Sequence, residues 1–277
     1  MFSPCAKINL GLNVVEKRLD GYHNLETVFY PLPIYDALEV NTMPSAFPLD
    51  RPYSLKVTGI GQPCEDEKNL VVKAYTLLAQ DHQLPRVFIH LHKGIPSQAG
   101  MGGGSSDAAF MLRLLNEKYQ LRLSTEQLQS YAARLGADCT FFITADAHNP
   151  QPVYATGIGE KLQPFSGEWK TLNGKWIALI KPNVAVSTKE AYADIIPTIP
   201  RKNCLDIVLH QPVETWRKDL VNDFEQSIFR KLPVLTETKQ MMYDHGAIYA
   251  AMSGSGSTIF GIFDQKPDFE TEYLIKI

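Results

Sequence analysis

The stretch Gly94-Ile95-Pro96-Ser97-Gln98-Ala99-Gly100-Met101-Gly102-Gly103-Gly104-Ser105-Ser106-Asp107 limits what this chain can fold into more than any other. Four of the five residues 100–104 are glycine, two serines follow, and nothing between Gly94 and Ser106 is charged. Before it, Val87 to His92 reads as a strand. After it, Ala108, Ala109, Met111, Leu112, Leu114 and Leu115 fall on one broad helical face. A flexible connector seldom joins a strand to so apolar a helix, and Pro96 stiffens this one. Glycine reaches positive φ and lets the backbone approach a ligand with no Cβ in the way. The helix start adds unpaired N–H groups and partial positive charge. Together these predict a cradle for phosphate oxygens. The loop is neither the Gly-x-x-x-x-Gly-Lys-Ser/Thr of common NTPases nor the Gly-x-Gly-x-x-Gly of dinucleotide folds and protein kinases.

At 277 residues the chain has room for one large or two ordinary domains. A net charge of −3 gives no basic surface for nucleic acid or a membrane, so a polyanionic ligand must be met by local cations and backbone N–H groups. Cys5, Cys64, Cys139 and Cys204 form no C-x-x-C pair, which reads as free thiols in a reduced, cytoplasmic chain. The N-terminus has no apolar run of the signal-peptide kind. Residues 246–263 are uncharged, but four glycines and four serines or threonines divide them into two strands rather than a membrane span.

In chain order, Ala6, Ile8, Leu10 and Leu12 alternate with Lys7, Asn9, Gly11 and Asn13, which predicts a strand with Lys7 and Asn9 on one face. Arg18 to Gly21 is a turn tipped by Asp-Gly. A strand follows at Leu25–Leu32, with Ala37–Val40 expected to pair beside it. Residues 43–53 carry three prolines and read as an irregular connection before a strand at Ser54–Val57. Asn69 stands at the N-cap of a helix through Leu78. Ser124 and Gln127 make a capping box for a helix that stops at Gly136. Asp138 then precedes the apolar run 139–143. An acid at the edge of a core needs partners, and it is either a turn or capping residue or a functional carboxylate.

Residues 146–152 read as a linker. Strands are expected at 153–155 and 176–180, with a turn at Gly157-Ile158-Gly159, a helix opening at 186–189 and a proline- and base-rich connection at 197–202. Helices near 214–220, 224–231 and 235–244 lead to two short strands around Ser253-Gly254-Ser255-Gly256-Ser257. That tip is either a second backbone ligand site or a tight turn. His90 and His92 share a strand face but lack a third ligand, which reads as surface. No Gly-x-Ser-x-Gly elbow is present.

Three stretches together resemble the small-molecule kinases of the galactokinase, homoserine kinase and mevalonate kinase (GHMP) superfamily. Pro4 to Leu10 is similar to its first motif, Pro96 to Ser106 to its second, and Ser253 to Ser257 to its third. Ala6-Lys7-Ile8-Asn9-Leu10, Asp20-Gly21-Tyr22-His23, Gly136-Ala137-Asp138 and Asn222-Asp223-Phe224-Glu225 narrow the resemblance. They point to the branch that phosphorylates the 2-hydroxyl of a cytidine-diphosphate-linked methylerythritol on the non-mevalonate route to isoprenoid precursors. Gln98, Met101 and Thr140 depart from that branch, where glycine, leucine and proline are common.

The resemblance implies an α+β, two-domain fold: a ribosomal S5 domain 2-like N-terminal ATP-binding domain over residues 1–150, a ferredoxin-like C-terminal domain over 151–277, and an active site between them. It implies ATP and Mg²⁺, with the metal held mainly by ATP. ATP would meet Asn69, Lys93, Pro96, Gly100, Gly102, Gly103, Gly104, Ser105 and Ser106, and Asp138 would be the base with Lys7 beside it. The cytidine substrate would meet Asn9, Tyr22, His23, Phe29, Thr188 and Tyr192, although a phenylalanine such as Phe29 is as readily a core residue. A monomer or weak homodimer is expected. The alternatives are another small-alcohol kinase, against which Asp20-Gly21-Tyr22-His23 argues, and a non-catalytic nucleotide-binding relative, against which Lys7 and Asp138 argue.

Overall fold

A computed structural model describes residues 1–48, 50–60, 64–165, 169–199 and 202–277. Residue 49 of the expected connection 43–53, and residues 200 and 201 of the connection 197–202, lie outside the described residues. The chain packs into two compact units that interleave along the sequence. One comprises Met1–Ala6, Leu32–Ser97 and Gly102–Asn149; the other comprises Lys7–Pro31, Gln98–Met101 and Pro150–Ile277. Strands β1 (Cys5–Lys17) and β2 (His23–Tyr35) run through both.

In the first unit, β3 (Ala37–Thr42), β4 (Tyr53–Gly59) and β5 (Val87–Lys93) form a sheet in the order β3-β5-β4. β4 and β5 are parallel, so the chain must cross over between them, and α1 (Leu70–Asp81) is that crossover. Asn69 caps it as expected, its Oδ1 accepting from Val71 N at 3.1 Å. After the glycine loop come α2 (Gly103–Lys118), α3 (Thr125–Leu135) and the short α4 (Cys139–Phe142). Ser124 and Gln127 form the expected capping box, and Gly136 ends α3. α1 packs on α2, and α4 packs against α2 and α3, burying Val71, Leu78, Met111, Leu112, Leu115 and Phe141.

Two expectations are corrected here. β3 pairs antiparallel with β5, not beside β2. Both edges of β2 are already taken, by β1 and by the later strand that precedes Gly157, and Asp36 ties the start of β3 to the end of β5. The glycine-loop helix begins at Gly103, well before its apolar pattern. Gly102 at φ +71 sets that start, so the first turn is made of Gly103, Gly104, Ser105 and Ser106. The apolar run after Asp138 folds as the short helix α4.

In the second unit, β6 (Val153–Gly157) and β7 (Lys161–Pro164) continue the sheet β1-β2-β6-β7. Then follow β8 (Trp176–Ile180), α5 (Thr188–Ala193), α6 (Cys204–His210), α7 (Trp216–Asp219), α8 (Phe224–Lys231) and α9 (Pro233–Asp244). β9 (Tyr249–Met252), β10 (Ile259–Phe263) and β11 (Tyr273–Lys276) complete a second sheet, β11-β8-β10-β9. Leu12 and Val14 of β1 share its core with Phe224, Ile228, Met242, Met252, Ile259 and Phe263. The helix expected near 214–220 is a single 3₁₀ turn, Val213–Thr215, followed by the one-turn α7. β7, α6 and β11 are additions to the sequence reading.

Candidate active site

Lys7 is the first residue to place. It lies in β1 with 3% of its surface exposed, so its ammonium must be partnered inside the protein. Nζ donates to Asn9 Oδ1 at 2.5 Å and to Gly100 O at 3.1 Å, and lies 5.2 Å from the centre of the Phe29 ring. The Lys7 amide donates to Met101 O, and Ser253 Oγ donates to Gly100 O at 2.8 Å. Thr258 N donates to Ala99 O. A Cβ on Gly254 would meet Asn9 Oδ1 at 3.2 Å and Lys7 Nζ at 3.4 Å. Within this unit the first motif, residues 99–101 of the second and the serine-glycine tip of the third therefore meet around one ammonium.

Asn222-Asp223-Phe224-Glu225 is the scaffold for that meeting. Asn222 Nδ2 donates to Met252 O and Gly254 O at 2.7 and 2.8 Å. Asp223 Oδ2 accepts from Val14 N, and Glu225 Oε1 accepts from Met252 N. The stretch that helped identify the branch thus fastens β1 to the third motif.

The expected cytidine residues are all in this unit. The His23 ring stacks on Tyr192 at 4.8 Å and 19°, and Tyr192 meets Phe224 edge-on at 4.8 Å. Partial burial, and then Lys17, push His23 below the usual imidazole range. Tyr22 is 61% exposed at the β1–β2 turn, where Asp20 Oδ1 accepts from its amide. Thr188 opens α5, exposed. Phe29 is buried, and Asn9 already bonds Lys7 and Thr27.

The first unit holds the helix end of the glycine loop. The first intrahelical bond of α2 is Ser106 N to Gly102 O, so the N–H groups of Gly103, Gly104 and Ser105 precede the ladder. Ser106 Oγ is fully buried and has no hydrogen-bond partner among the described residues. A buried unpaired hydroxyl beside unladdered N–H groups fits phosphate oxygens as partners. Burial pushes the thiol of Cys139, the residue after Asp138, up to about 12, against the pull of the Ser105 hydroxyl. Asp138 itself is half-buried at the start of α4.

Lys93 ends β5, just before the loop. Nζ forms ion pairs with Asp36 and, at 2.6 Å, with Asp107, and all three residues are buried. Burial works against the Lys93 charge, but Asp107 and Asp36 outweigh it and hold its pKa above the usual amine value. Burial raises the Asp107 carboxyl well above the carboxylate range, against the pull of Lys93. Gln98, flagged for departing from glycine, sits at φ +52, a conformation glycine adopts without strain. Asp36 was missed in the sequence; its signal was the one that singled out Asp138, an acid between apolar neighbours.

The GHMP kinases N terminal domain matches residues 69–145, and the GHMP kinases C terminal domain matches residues 208–273. A protein of Bacteroides fragilis named 4-diphosphocytidyl-2-C-methyl-D-erythritol kinase is 50% identical over 278 residues, covering 99% of this chain and 97% of its own. One of the same name from Chlorobium limicola is 39% identical over 276 residues, covering 98% and 90%. A crystal structure of 4-(cytidine 5'-diphospho)-2C-methyl-D-erythritol kinase superposes with a TM-score of 0.73 at 31% identity, over 94% of this chain and 89% of that one. A homoserine kinase from Cytophaga hutchinsonii, at 15% identity and a TM-score of 0.63 over 96% and 87%, shares the fold. With half its residues in common with the Bacteroides fragilis protein along almost its whole length, the chain belongs to the 4-diphosphocytidyl-2-C-methyl-D-erythritol kinase family of the GHMP kinases.

Proposed function

We propose that this chain transfers the γ-phosphoryl group of ATP to the 2-hydroxyl of 4-diphosphocytidyl-2-C-methyl-D-erythritol. The observation that carries the reading is the buried Lys7 ammonium, gathered by Asn9, Gly100 and the Gly254 turn from three motif segments.

Phosphoryl transfer has a loose transition state, so positioning and charge stabilisation supply most of the catalysis. The substrate oxygen forms a bond to the γ-phosphorus, the bond from that phosphorus to the ADP oxygen breaks, and the hydroxyl proton passes to Asp138. A carboxylate is a weak base toward an alcohol, so Asp138 has to stand within about 3 Å of the hydroxyl. Lys7 offsets the negative charge gathering on the phosphoryl oxygens. Ser106 Oγ and the first N–H groups of α2 take phosphate oxygens, with Asn69 toward the adenine. Mg²⁺, when bound, would be held mainly by ATP and would supply charge neutralisation there. The enzyme works in the cytoplasm as a monomer or weak homodimer. ADP release measured with the cytidyl substrate, mevalonate and homoserine tests the assignment. Turnover with the cytidyl substrate alone is expected; a preference for another alcohol, or no turnover with any, overturns it.

For substrate choice, the Tyr192–His23 stack is the surface offered to the cytosine. Base–aromatic stacking contributes on the order of 1–3 kcal/mol. Tyr192→Ala is expected to raise KM for the cytidyl substrate about 5- to 150-fold on that scale and to leave KM for ATP nearly unchanged. Steady-state kinetics with each substrate varied in turn checks this, and equal losses for both would remove Tyr192 from the site.

A further inference from the structure

We propose that Asp36 is the positioning residue that shapes the ATP loop, and that Lys93 braces Asp36 to α2 instead of contacting the nucleotide. The inference deepens the functional reading above and rests on it. Asp36 stands between β2 and β3, and its side chain has 0% of its surface exposed. Oδ1 accepts two consecutive amides at the start of the loop, Gly94 N at 2.6 Å and Ile95 N at 2.8 Å. Oδ2 takes Lys93 Nζ, which also donates to Asp107 Oδ2 in α2 at 2.6 Å.

Both ends of the loop rest on this one cluster. At its start, a Cβ on Gly94 would lie 2.5 Å from Tyr35 O, so only glycine lets the chain come so close. At its end, a Cβ on Gly103 would meet Ile95 Cγ2 at 3.0 Å and Lys93 Nζ at 3.4 Å. The first turn of α2 therefore sits directly on Ile95 and the lysine. Donors aimed at phosphate stabilise charge only if they are held before the ligand arrives, and a shift of about 1 Å in such a site costs on the order of 10²-fold. Removing the Asp36 charge leaves the ammonium with Asp107 among the described residues and weakens the charge-assisted bonds from the amides of Gly94 and Ile95. Asp107 reaches Lys93 from the helix side, whereas Asp36 holds the lysine and both loop amides.

The test compares Asp36→Asn with Leu78→Ala, a core truncation of α1 in the same unit that lowers stability without touching the loop. Three quantities are read: KM for ATP, KM for the cytidyl substrate, and amide hydrogen exchange at Gly94 and Ile95. Asp36→Asn is expected to raise KM for ATP at least tenfold, leave KM for the cytidyl substrate within twofold, and speed exchange at both amides at least tenfold. Leu78→Ala is expected to lower the melting temperature with KM for ATP within twofold. Should Asp36→Asn not fold, Asp36→Asn combined with Lys93→Met removes the half-paired ammonium as well, and the same shifts are expected. The inference is overturned if the folded Asp36 variant keeps KM for ATP within threefold of the parent, or if Leu78→Ala raises it as much. A parent protein that binds no ATP by calorimetry overturns the functional reading and this inference together; a parent that binds ATP alongside an unaffected Asp36 variant overturns this inference alone.

Discussion

Asp138→Asn is expected to lower kcat by about 10²–10⁴-fold, the usual contribution of a general base. The substitution keeps the shape of the side chain at the start of α4 and removes its charge. ATP affinity should barely change, because the phosphates are assigned to the first turn of α2 and not to the carboxylate. Lys7→Ala should also lower kcat. The double variant should lose less than the product of the two single losses, since a base and the cation that serves it act as one unit. The competing role for Asp138 is structural, a turn residue between α3 and α4. In that case Asp138→Asn would lower the melting temperature and leave the single-turnover rate of the folded fraction near that of the parent. Both quantities, measured on one preparation, decide between the roles.

Local signals carried the elements they govern. The Asn69 cap and the Ser124–Gln127 box are written in adjacent residues, and both helices start where those residues say. Glycine content marked the loop, but not the point where loop becomes helix. That point depends on Gly102 taking a left-handed conformation, which the sequence permits without requiring. The pairing of β3 was not legible, because it turns on an edge of β2 being filled from more than a hundred residues away and on Asp36 reaching Lys93. The same holds at the site. Lys7, Asn9 and the serine-glycine tip are recognisable in the chain, but the shared acceptor at Gly100 O appears only once they are folded together. At Lys93 the chain shows the residue but not its partners. A basic residue before a phosphate loop invites assignment to the nucleotide, and its two buried carboxylate partners lie 57 positions before it and 14 after it.

Gly100→Ala is expected to disable the enzyme and weaken the fold at once. Gly100 has φ +73, and a Cβ there would overlap the carbonyl oxygen of Ser253, a backbone atom with no rotamer to escape into. The conformational penalty and the overlap together should cost about 2–4 kcal/mol, on the order of 5–15 °C in melting temperature for a chain of this size. Gly21→Ala separates the two contributions. Gly21 also has positive φ, +87, but nothing lies within 4 Å of the added Cβ. It should therefore lose only the conformational part, about 1 kcal/mol. The catalytic effect follows from Gly100 O, which accepts from both Lys7 Nζ and Ser253 Oγ. Pushing residue 100 off the Ser253 turn moves the acceptor that aims the lysine, and a displacement near 1 Å in such a group costs about 10²-fold in rate. Thermal melting and single-turnover phosphoryl transfer on Gly100→Ala, Gly21→Ala and the parent check both parts. A Gly100→Ala protein that melts with Gly21→Ala and turns over like the parent would show that the contact between residues 99–101 and the third motif does not organise the site.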